Sequence, residues 1–295
     1  MLNHSDIRIG TLGSMNKGAG YVRQILPHGF ESISLTVWQD IGDVDLERTG
    51  KEVLEVMGDR AVISTIGIFC NPLQEPSKVT QWERMIDAAR HFNTTIVSGF
   101  TGALDGTSIP DAMPTYKKVF GELARRAEDK GVRIAFENCD MGGTWNNGGK
   151  FNIAHSPTAW EMMFNEVPSA AVGLEWEPCH QMVSLIDPIP QLRKLAATGK
   201  IFHVHGKDAT VAWDVIRTSG IRGGKPYVWH RTPGFGDTNW ADVISILRMN
   251  NYTGTIDIEG WHDPVYKGDL EMTGQVHALN YLKQCRGGPF VANPT

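Results

Sequence analysis

The sequence predicts a (β/α)8 barrel, a fold of the α/β class in which eight parallel strands close into a ring. Apolar, β-branched runs of five to nine residues alternate with helical patterns along almost the whole 295-residue chain. Eight such units are what one barrel requires, and about 250 residues is its usual length. The two longest interruptions both follow strands, where barrels carry their functional loops. We therefore expect one barrel domain over residues 1–295.

Each predicted strand is a short apolar run, and each predicted helix combines amphipathic spacing with start and stop signals. Ser156 before Pro157 is typical of a helix start, and Gly131 of a helix end. The predicted strands span residues 7–12, 30–38, 61–69, 94–100, 132–137, 171–177, 201–205 and 254–259. The predicted helices lie near residues 20–26, 45–57, 77–92, 111–130, from 156 onwards, and near 190–198, 240–250 and 269–282.

A doubly wound open sheet is the alternative fold for alternating strands and helices. It usually carries a glycine-rich fingerprint after its first strand, and the segment Gly10-Thr11-Leu12-Gly13-Ser14-Met15 lacks that spacing. The barrel is therefore favoured. The two long interruptions, Asn138–Ser156 and Gly206–Asn239, are then expected to be loops above the carboxyl ends of the strands.

Composition excludes several classes of function. The chain has 28 Lys+Arg against 33 Asp+Glu, and this net charge of −5 gives no basic surface for nucleic acid. No apolar run is long enough to span a membrane, and the polar start MLNHSDIRIG is unlike a secretory signal. The 4 cysteines are widely spaced, which indicates neither a disulfide scaffold nor a zinc finger. We expect a soluble cytoplasmic protein.

Four consecutive strands end in residues that bind metal ions: Glu137, Glu177, His205 and Glu259. Taken singly, each could be an ordinary solvated charge, but the strand ends of a barrel converge on one face. Three carboxylates there would repel each other unless a cation neutralised them. Three oxygen donors and one imidazole suit a hard to borderline ion. We therefore predict one divalent ion, Mn²⁺ foremost, with Mg²⁺ and Co²⁺ as alternatives.

Strand parity separates these ligands from residues deeper in the barrel. Residues two apart share a face of a strand, so Glu175 lies on the face of Glu177, and His203 on that of His205. The outer member of each pair is nearer the barrel mouth. We therefore expect Glu175 and His203 to be partners of the ligands or hydrogen-bonded interior groups.

Five segments between about Ile134 and Leu282 carry these strand ends with flanking Gly, Pro and His residues. They are Ala135-Phe136-Glu137-Asn138, Gly173-Leu174-Glu175-Trp176-Glu177-Pro178-Cys179-His180, His203-Val204-His205-Gly206-Lys207-Asp208, Pro233-Gly234-Phe235-Gly236-Asp237-Thr238-Asn239-Trp240 and Ile256-Asp257-Ile258-Glu259. They resemble the successive motifs of xylose-isomerase-like barrel proteins. That superfamily includes sugar isomerases, ketose 3-epimerases, inositol-pathway enzymes, family-2 AP endonucleases and catalytic subunits of C-glycoside deglycosidases.

The resemblance implies a site as well as a fold. In epimerase-like members, one divalent ion is bound at the positions that match Glu137, Glu177, His205 and Glu259. The histidine that matches His180 contacts substrate. The family usually has Asp where this chain has Glu177, which alters the coordination geometry but not the ligand chemistry. AP endonucleases need further histidines on earlier strands, and residues 67–71 and 97–101 contain none, which argues against DNA repair.

One metal ion between carboxylates predicts proton transfer next to a carbonyl. The ion would polarise a sugar carbonyl and its neighbouring hydroxyl and stabilise an enediolate. Glu137 and Glu259 stand on different strands, so we expect one to remove the proton and the other to return it. His180, Arg231 and Lys207 are candidates to bind the substrate, although Lys207 could equally pair with a neighbouring carboxylate.

Aromatic residues predict a binding surface for an unphosphorylated sugar or glycoside. Phosphate sites in barrels use backbone amides after the last two strands, and the glycine pair Gly223-Gly224 lies within a long insertion. Trp145 and Trp261 are the aromatic residues we assign to substrate. The wider set expected around the mouth, of which about half should be core, is Trp38, Phe69, Trp145, Trp176, Trp229 and Trp261.

Three functions remain open from the sequence. The first is a metal-dependent isomerase or epimerase of a free sugar or oxo-sugar. The second is a lyase that eliminates an aglycone from a 3-oxo-glycoside, as the resemblance to deglycosidases implies. Such deglycosidases work with a small partner subunit, so either that partner or a homo-oligomer is expected. The third is a sugar-binding barrel without catalysis, which would show no exchange of substrate hydrogen with solvent.

Overall fold

A computed structural model describes residues 6–294 and contains a closed barrel of eight parallel strands. Around the barrel the strands follow the order β1-β10-β7-β6-β5-β4-β3-β2, and β8 and β9 form a separate two-stranded sheet. The barrel strands are β1 (Arg8–Ser14), β2 (Ser32–Trp38), β3 (Val62–Phe69), β4 (Ile96–Gly99), β5 (Arg133–Glu137), β6 (Val172–Trp176), β7 (Ile201–Gly206) and β10 (Thr255–Ile258). The fold class predicted from the sequence is confirmed.

The α-helices follow the strands as the periodicity predicts. Ser156 and Pro157 begin a helix as expected, since the Ser156 hydroxyl accepts a hydrogen bond from the Ala159 amide at 3.3 Å. The helices are α1 (Gly18–Ile25), α2 (Leu46–Met57), α3 (Pro76–Ala88), α4 (Ile109–Asp129), α5 (Pro157–Glu166), α6 (Pro178–Val183), α7 (Pro188–Ala196), α8 (Trp213–Ser219), α9 (Trp240–Met249) and α10 (Glu271–Cys285). Among the described helices, none has the length and apolar character needed to cross a membrane.

The region 206–239, expected to be a loop, contains regular structure that the sequence did not reveal. Strands β8 (Asp208–Val211) and β9 (Val228–Arg231) pair antiparallel, with Asp208 opposite Arg231, and α8 lies between them. Each strand has four residues, as β4 and β10 do, but β8 (DATV) and β9 (VWHR) include polar side chains and are partly exposed. Neither is therefore the apolar run by which the barrel strands were predicted. Helix α6 was missed because its six residues are too few to show a helical period.

Internal contacts divide the chain into two compact units. The first comprises Leu12–Trp176 and Lys200–Val204, and the second comprises Glu177–Gly199, residues 205–294 and the described residues up to Thr11. In the first unit, Phe120 and Phe136 meet edge to face with ring centroids 4.7 Å apart. In the second unit, Trp240 is fully buried and donates from Nε1 to Asp208 at 3.0 Å. The second unit carries most of the side chains expected to form the site.

Candidate metal centre and substrate site

Three of the predicted ligands lie in the second unit at the ends of barrel strands. Glu177 directly follows β6 and is the residue before helix α6, whose first residue is Pro178. His205 lies near the end of β7. Glu259 directly follows β10, and its amide donates to the Gly206 carbonyl at 3.1 Å. All three are buried, with 0%, 1% and 6% of their surface exposed.

The donor atoms of these three residues are close enough to bind one ion. One ligand atom from each of Glu177, His205 and Glu259 lies within 4.8 Å of the others. His205 Nδ1 is 3.2 Å from Glu259 Oε2. Carboxylate oxygens and an imidazole nitrogen are donors suited to Mn²⁺, Mg²⁺ or Co²⁺. The residues therefore fit the divalent ion that the sequence predicts.

Lys207 and His180 lie beside these carboxylates. Lys207 Nζ is 2.7 Å from Glu259 Oε1 and 3.2 Å from His180 Nε2. The same His180 nitrogen is 2.9 Å from Glu177 Oε1. Of the two roles left open for Lys207, the structure therefore shows the ion pair with a carboxylate. His180 lies within helix α6 and is buried.

Nearby cations keep the carboxylates of Glu177 and Glu259 ionised. Burial alone would raise the pKa of Glu177, but the charges of His180 and Lys207 outweigh burial and lower it. The pKa of Glu259 is likewise lowered well below its usual value, because Lys207 and His205 outweigh the effect of burial. Both groups are therefore available as anionic ligands at neutral pH.

Glu137 ends β5 in the first unit and is 5% exposed. It stands opposite Glu175 of β6 in the strand register. Its carbonyl accepts a hydrogen bond from Asn152 Nδ2 at 2.8 Å, and the same amide donates to the Cys139 carbonyl at 2.7 Å. Asn152 thus fixes the backbone at the strand end and at the start of the long loop that follows.

Glu175 and His203 are an interior pair, as strand parity predicts. Glu175 Oε1 is 2.6 Å from His203 Nδ1, and both side chains are 0% exposed. Each lies two residues before a predicted metal ligand, on the same face of its strand. Their mutual hydrogen bond satisfies polar groups that would otherwise be costly to bury.

Arg231, predicted to bind substrate, is held by an acidic side chain. Its Nε donates to Asp263 Oδ2 at 3.1 Å, and the Asp263 carboxylate also accepts from the amides of Thr232, Val265 and Tyr266. Burial would raise the pKa of Asp263, but these backbone donors and Arg231 lower it. The guanidinium is therefore positioned at the end of β9 by a fixed anion.

The aromatic residues separate into exposed and buried groups. Trp145 and Trp261, assigned to substrate from the sequence, are 39% and 45% exposed. Trp176 is fully buried and belongs to the core, as about half of that wider set was expected to. Trp229 and its neighbour His230 point to opposite faces of β9. Trp229 therefore faces away from His180, which the His230 ring contacts.

Two histidines near the site were missed by the sequence reasoning. The ring centroids of His230 and His180 are 5.2 Å apart, and those of His230 and His262 are 5.6 Å apart. His262 Nε2 is 3.7 Å from Glu259 Oε1. Burial, aided by Lys207 and His180, lowers the pKa of His230 to about 4. Each directly follows a tryptophan, and such doublets near strand ends were the available signal.

Comparisons with known proteins bear on the family and the fold of this chain. A family model described as xylose isomerase-like TIM barrel matches residues 22–285. An inosose dehydratase from Clostridium beijerinckii is 28% identical over 175 residues, which make up 56% of this chain and 52% of that protein. The chain therefore matches about half the length of that curated relative.

Solved structures share the fold at low sequence identity. A xylose isomerase domain protein from Planctomyces limnophilus superposes with a TM-score of 0.72 at 16% identity, covering 95% of this chain and 97% of that one. A 3-keto-D-glucoside 4-epimerase from E. coli gives a TM-score of 0.71 at 15% identity, covering 95% and 100%. At such identities the likeness concerns the fold alone.

Proposed function

The chain belongs to the xylose isomerase-like TIM barrel family, and from this we propose that it removes the proton next to the carbonyl of an unphosphorylated sugar or oxo-sugar. One divalent metal ion would assist, and the product would be an isomer or epimer. The observation that carries the proposal is the buried cluster of carboxylates and imidazole at the strand ends. Neighbours with epimerase and dehydratase activities support a sugar-modifying enzyme.

We assign the metal to Glu137, Glu177, His205 and Glu259, with Mn²⁺ as the expected ion. Two facts support Glu137 as the fourth ligand: it ends the strand next to β6, and it is a buried carboxylate. These three carboxylates outnumber the cations Lys207 and His180 beside them, so the net charge of the group is negative. A divalent cation would balance that charge.

The carboxylates of Glu137 and Glu259 are the proposed acid–base pair. When bound, the ion would supply a positive charge that polarises the substrate carbonyl and acidifies the neighbouring C–H. Glu259 would take or return the proton, and Glu137 would act from the other strand. Lys207, 2.7 Å from Glu259 Oε1, holds this carboxylate in place and keeps it ionised.

The charges around the site favour a neutral substrate. Lys207 is paired with Glu259, and Arg231 with Asp263, so each cation has an anionic partner. A phosphate group would add negative charge beside buried carboxylates, and the nearby cations Lys207 and Arg231 are already paired with carboxylates. Arg231, His180 and Lys207 are better suited to donate hydrogen bonds to hydroxyl and carbonyl oxygens. Trp145 and Trp261 are exposed enough to pack against the apolar face of a sugar ring or an aglycone.

Elimination is the second candidate, and the inosose dehydratase relative favours it. Loss of water, or of an aglycone from a 3-oxo-glycoside, begins with the same proton removal. The leaving group then needs a proton, and the Lys207 ammonium, whose Nζ is 3.2 Å from His180 Nε2, is a donor that could supply it. Co-purification of a small second polypeptide would favour aglycone release over dehydration, and a homo-oligomer is expected otherwise.

Exchange of substrate hydrogen in D₂O tests the proposed function. The protein with Mn²⁺ is incubated with D-fructose, methyl 3-oxo-glucoside and 2-keto-inositol, and each sample is followed by NMR. We expect deuterium at the carbon next to the carbonyl of at least one probe. New sugar signals would identify an isomerase or epimerase, and loss of water or methanol would identify elimination. Binding of a probe without exchange would leave only the sugar-binding function.

A further inference from the structure

His180, His230 and His262, which we call the histidine cluster, form a continuous series of imidazoles in the second unit. The ring planes of His180 and His230 are 84° apart, and those of His230 and His262 are 85° apart. In this edge-to-face packing each ring holds the next one in a defined orientation. The three residues come from α6, β9 and the segment after β10, so no local sequence effect explains why they meet.

One end of the histidine cluster is linked to Glu259 Oε1 through Lys207, and the other end lies near the same oxygen directly. At one end, Lys207 Nζ lies 3.2 Å from His180 Nε2 and 2.7 Å from Glu259 Oε1. At the other end, His262 Nε2 lies 3.7 Å from that same Oε1. The histidine cluster and Lys207 therefore form a ring of contacting side chains that starts and ends at Glu259.

Exposure increases along the histidine cluster. His180 is 4% exposed, His230 is half-buried, and the His262 side chain is 55% exposed. A purely structural cluster would be expected to bury its rings against apolar side chains, since burial supplies the packing energy. This series instead leads from the buried carboxylates towards solvent.

We propose that His230 and His262 bind substrate, extending the site outward from Glu259 as a surface that recognises hydroxyl groups. This inference rests on the proposed function and names two residues that neither the family motifs nor the sequence assigned. A neutral imidazole offers one hydrogen-bond donor and one acceptor, which matches a hydroxyl group. Since Lys207 and Arg231 are already paired with carboxylates, the ligand expected here is a neutral, hydroxyl-rich ring.

The direct test is chemical protection, which does not depend on turnover. Diethyl pyrocarbonate modifies accessible histidines, and mass spectrometry locates each modified residue. The Mn²⁺-loaded protein is treated with and without D-fructose, methyl 3-oxo-glucoside or 2-keto-inositol. We expect at least one probe to slow modification of His230 and His262 by about threefold or more, the effect of one good hydrogen bond. His28, which is exposed, should react at an unchanged rate.

Kinetics of His230→Gln and His262→Gln provide the second measurement. Each variant keeps a donor and an acceptor, whereas the corresponding alanine variants lose both. We expect alanine to raise KM by about three- to tenfold, the effect of a lost neutral hydrogen bond, with a smaller change in kcat. Glutamine should restore much of the loss, and bound Mn²⁺ should stay unchanged. His28→Asn is the matched control.

The outcomes separate this inference from the proposed function. The wild-type protein could exchange the substrate proton while no probe slows modification of His230 and His262, and the alanine variants could have the same KM as His28→Asn. That result would overturn the role of His230 and His262 only. Protection without proton exchange would support the histidine cluster as a binding surface and overturn the proposed function. If none of the three probes slows histidine modification and none exchanges a proton with solvent, both the role of His230 and His262 and the proposed function are overturned.

Discussion

Glu259 combines two roles that usually fall to different residues. Its Oε2 lies 3.2 Å from His205 Nδ1, which groups it with the ligands, while its Oε1 lies 2.7 Å from Lys207 Nζ. One oxygen can thus serve the metal centre while the other is oriented by a buried ammonium. Such a carboxylate can bind an ion and still exchange a proton with substrate.

Replacing Glu259 with Gln should therefore nearly abolish proton exchange. The amide keeps the size and one ligating oxygen but is not basic, so Mn²⁺ affinity should fall only modestly. We expect exchange in D₂O to fall about 10³-fold, which corresponds to about 4 kcal/mol of barrier.

Glu137→Gln is the companion variant. An epimerase should then still exchange the proton of one epimer without converting it, whereas a lyase should lose either proton removal or product release. Exchange near the wild-type rate in both variants would contradict the assignment of the acid–base pair.

His180→Ala should impair turnover and leave the metal in place. Its Nε2 contacts Glu177 and Lys207, but it stands outside the proposed ligand set. We expect kcat/KM to fall, while the Mn²⁺ content measured after dialysis stays close to one per chain. Loss of the ion would show that His180 is a ligand.

The hairpin of β8 and β9 is fixed to its surroundings by two aspartates. Asp208 accepts from the Thr238 hydroxyl at 2.5 Å and from Trp240 Nε1 at 3.0 Å, which ties the start of β8 to the start of α9. Asp263 joins the end of β9 to the segment after β10 through Arg231 and Thr232. In the described sheets the hairpin strands pair only with each other and not with a barrel strand. The side-chain hydrogen bonds of Asp208 and Asp263 therefore hold the hairpin in place.

Asp263→Asn should weaken the hairpin in a pH-dependent way. The folded-state pKa of Asp263 is lowered, so its ionisation favours the folded state above its usual pKa of 3.8, and this contribution is lost as pH falls through the lower folded value. At pH 7 we expect the variant to lose about 1.5–3 kcal/mol of unfolding free energy, typical of hydrogen bonds to a charged group.

Denaturant titrations at pH 7 and at about pH 3 check this prediction. The difference between wild type and the Asn variant should shrink at acid pH. A difference that is constant across this range, or that grows on acidification, would contradict the role of the ionised carboxylate.

For the whole molecule, metal binding should be coupled to stability. An ion that binds only the folded protein stabilises it by about 2.7 kcal/mol when free metal is 100 times its Kd. We expect EDTA to lower Tm and added Mn²⁺ to restore it. Glu177→Gln should reduce this response, while His28→Asn should keep it. If EDTA and Mn²⁺ change Tm equally in both variants, the ion binds at a site without Glu177.

The sequence predicted the barrel because its strands lie in apolar, β-branched runs that alternate with helical patterns, even where the strand itself has only four residues, as in β4 and β10. It also predicted Glu177, His205 and Glu259 as neighbours, because each ends a strand and parallel strands of a barrel end on one face. It did not predict β8 and β9, because neither is an apolar run, or α6, because six residues are too few to show a helical period. The histidine cluster was missed for another reason: His180, His230 and His262 meet only through tertiary packing.

The proposal of one divalent ion at these strand ends can be tested by anomalous diffraction from crystals of the Mn²⁺-loaded protein. We predict a single strong manganese peak with one atom each of Glu137, Glu177, His205 and Glu259 within about 2.5 Å, a distance typical of hard-cation ligands. A peak at other residues, a cluster of several ions, or no peak at saturating Mn²⁺ would contradict it.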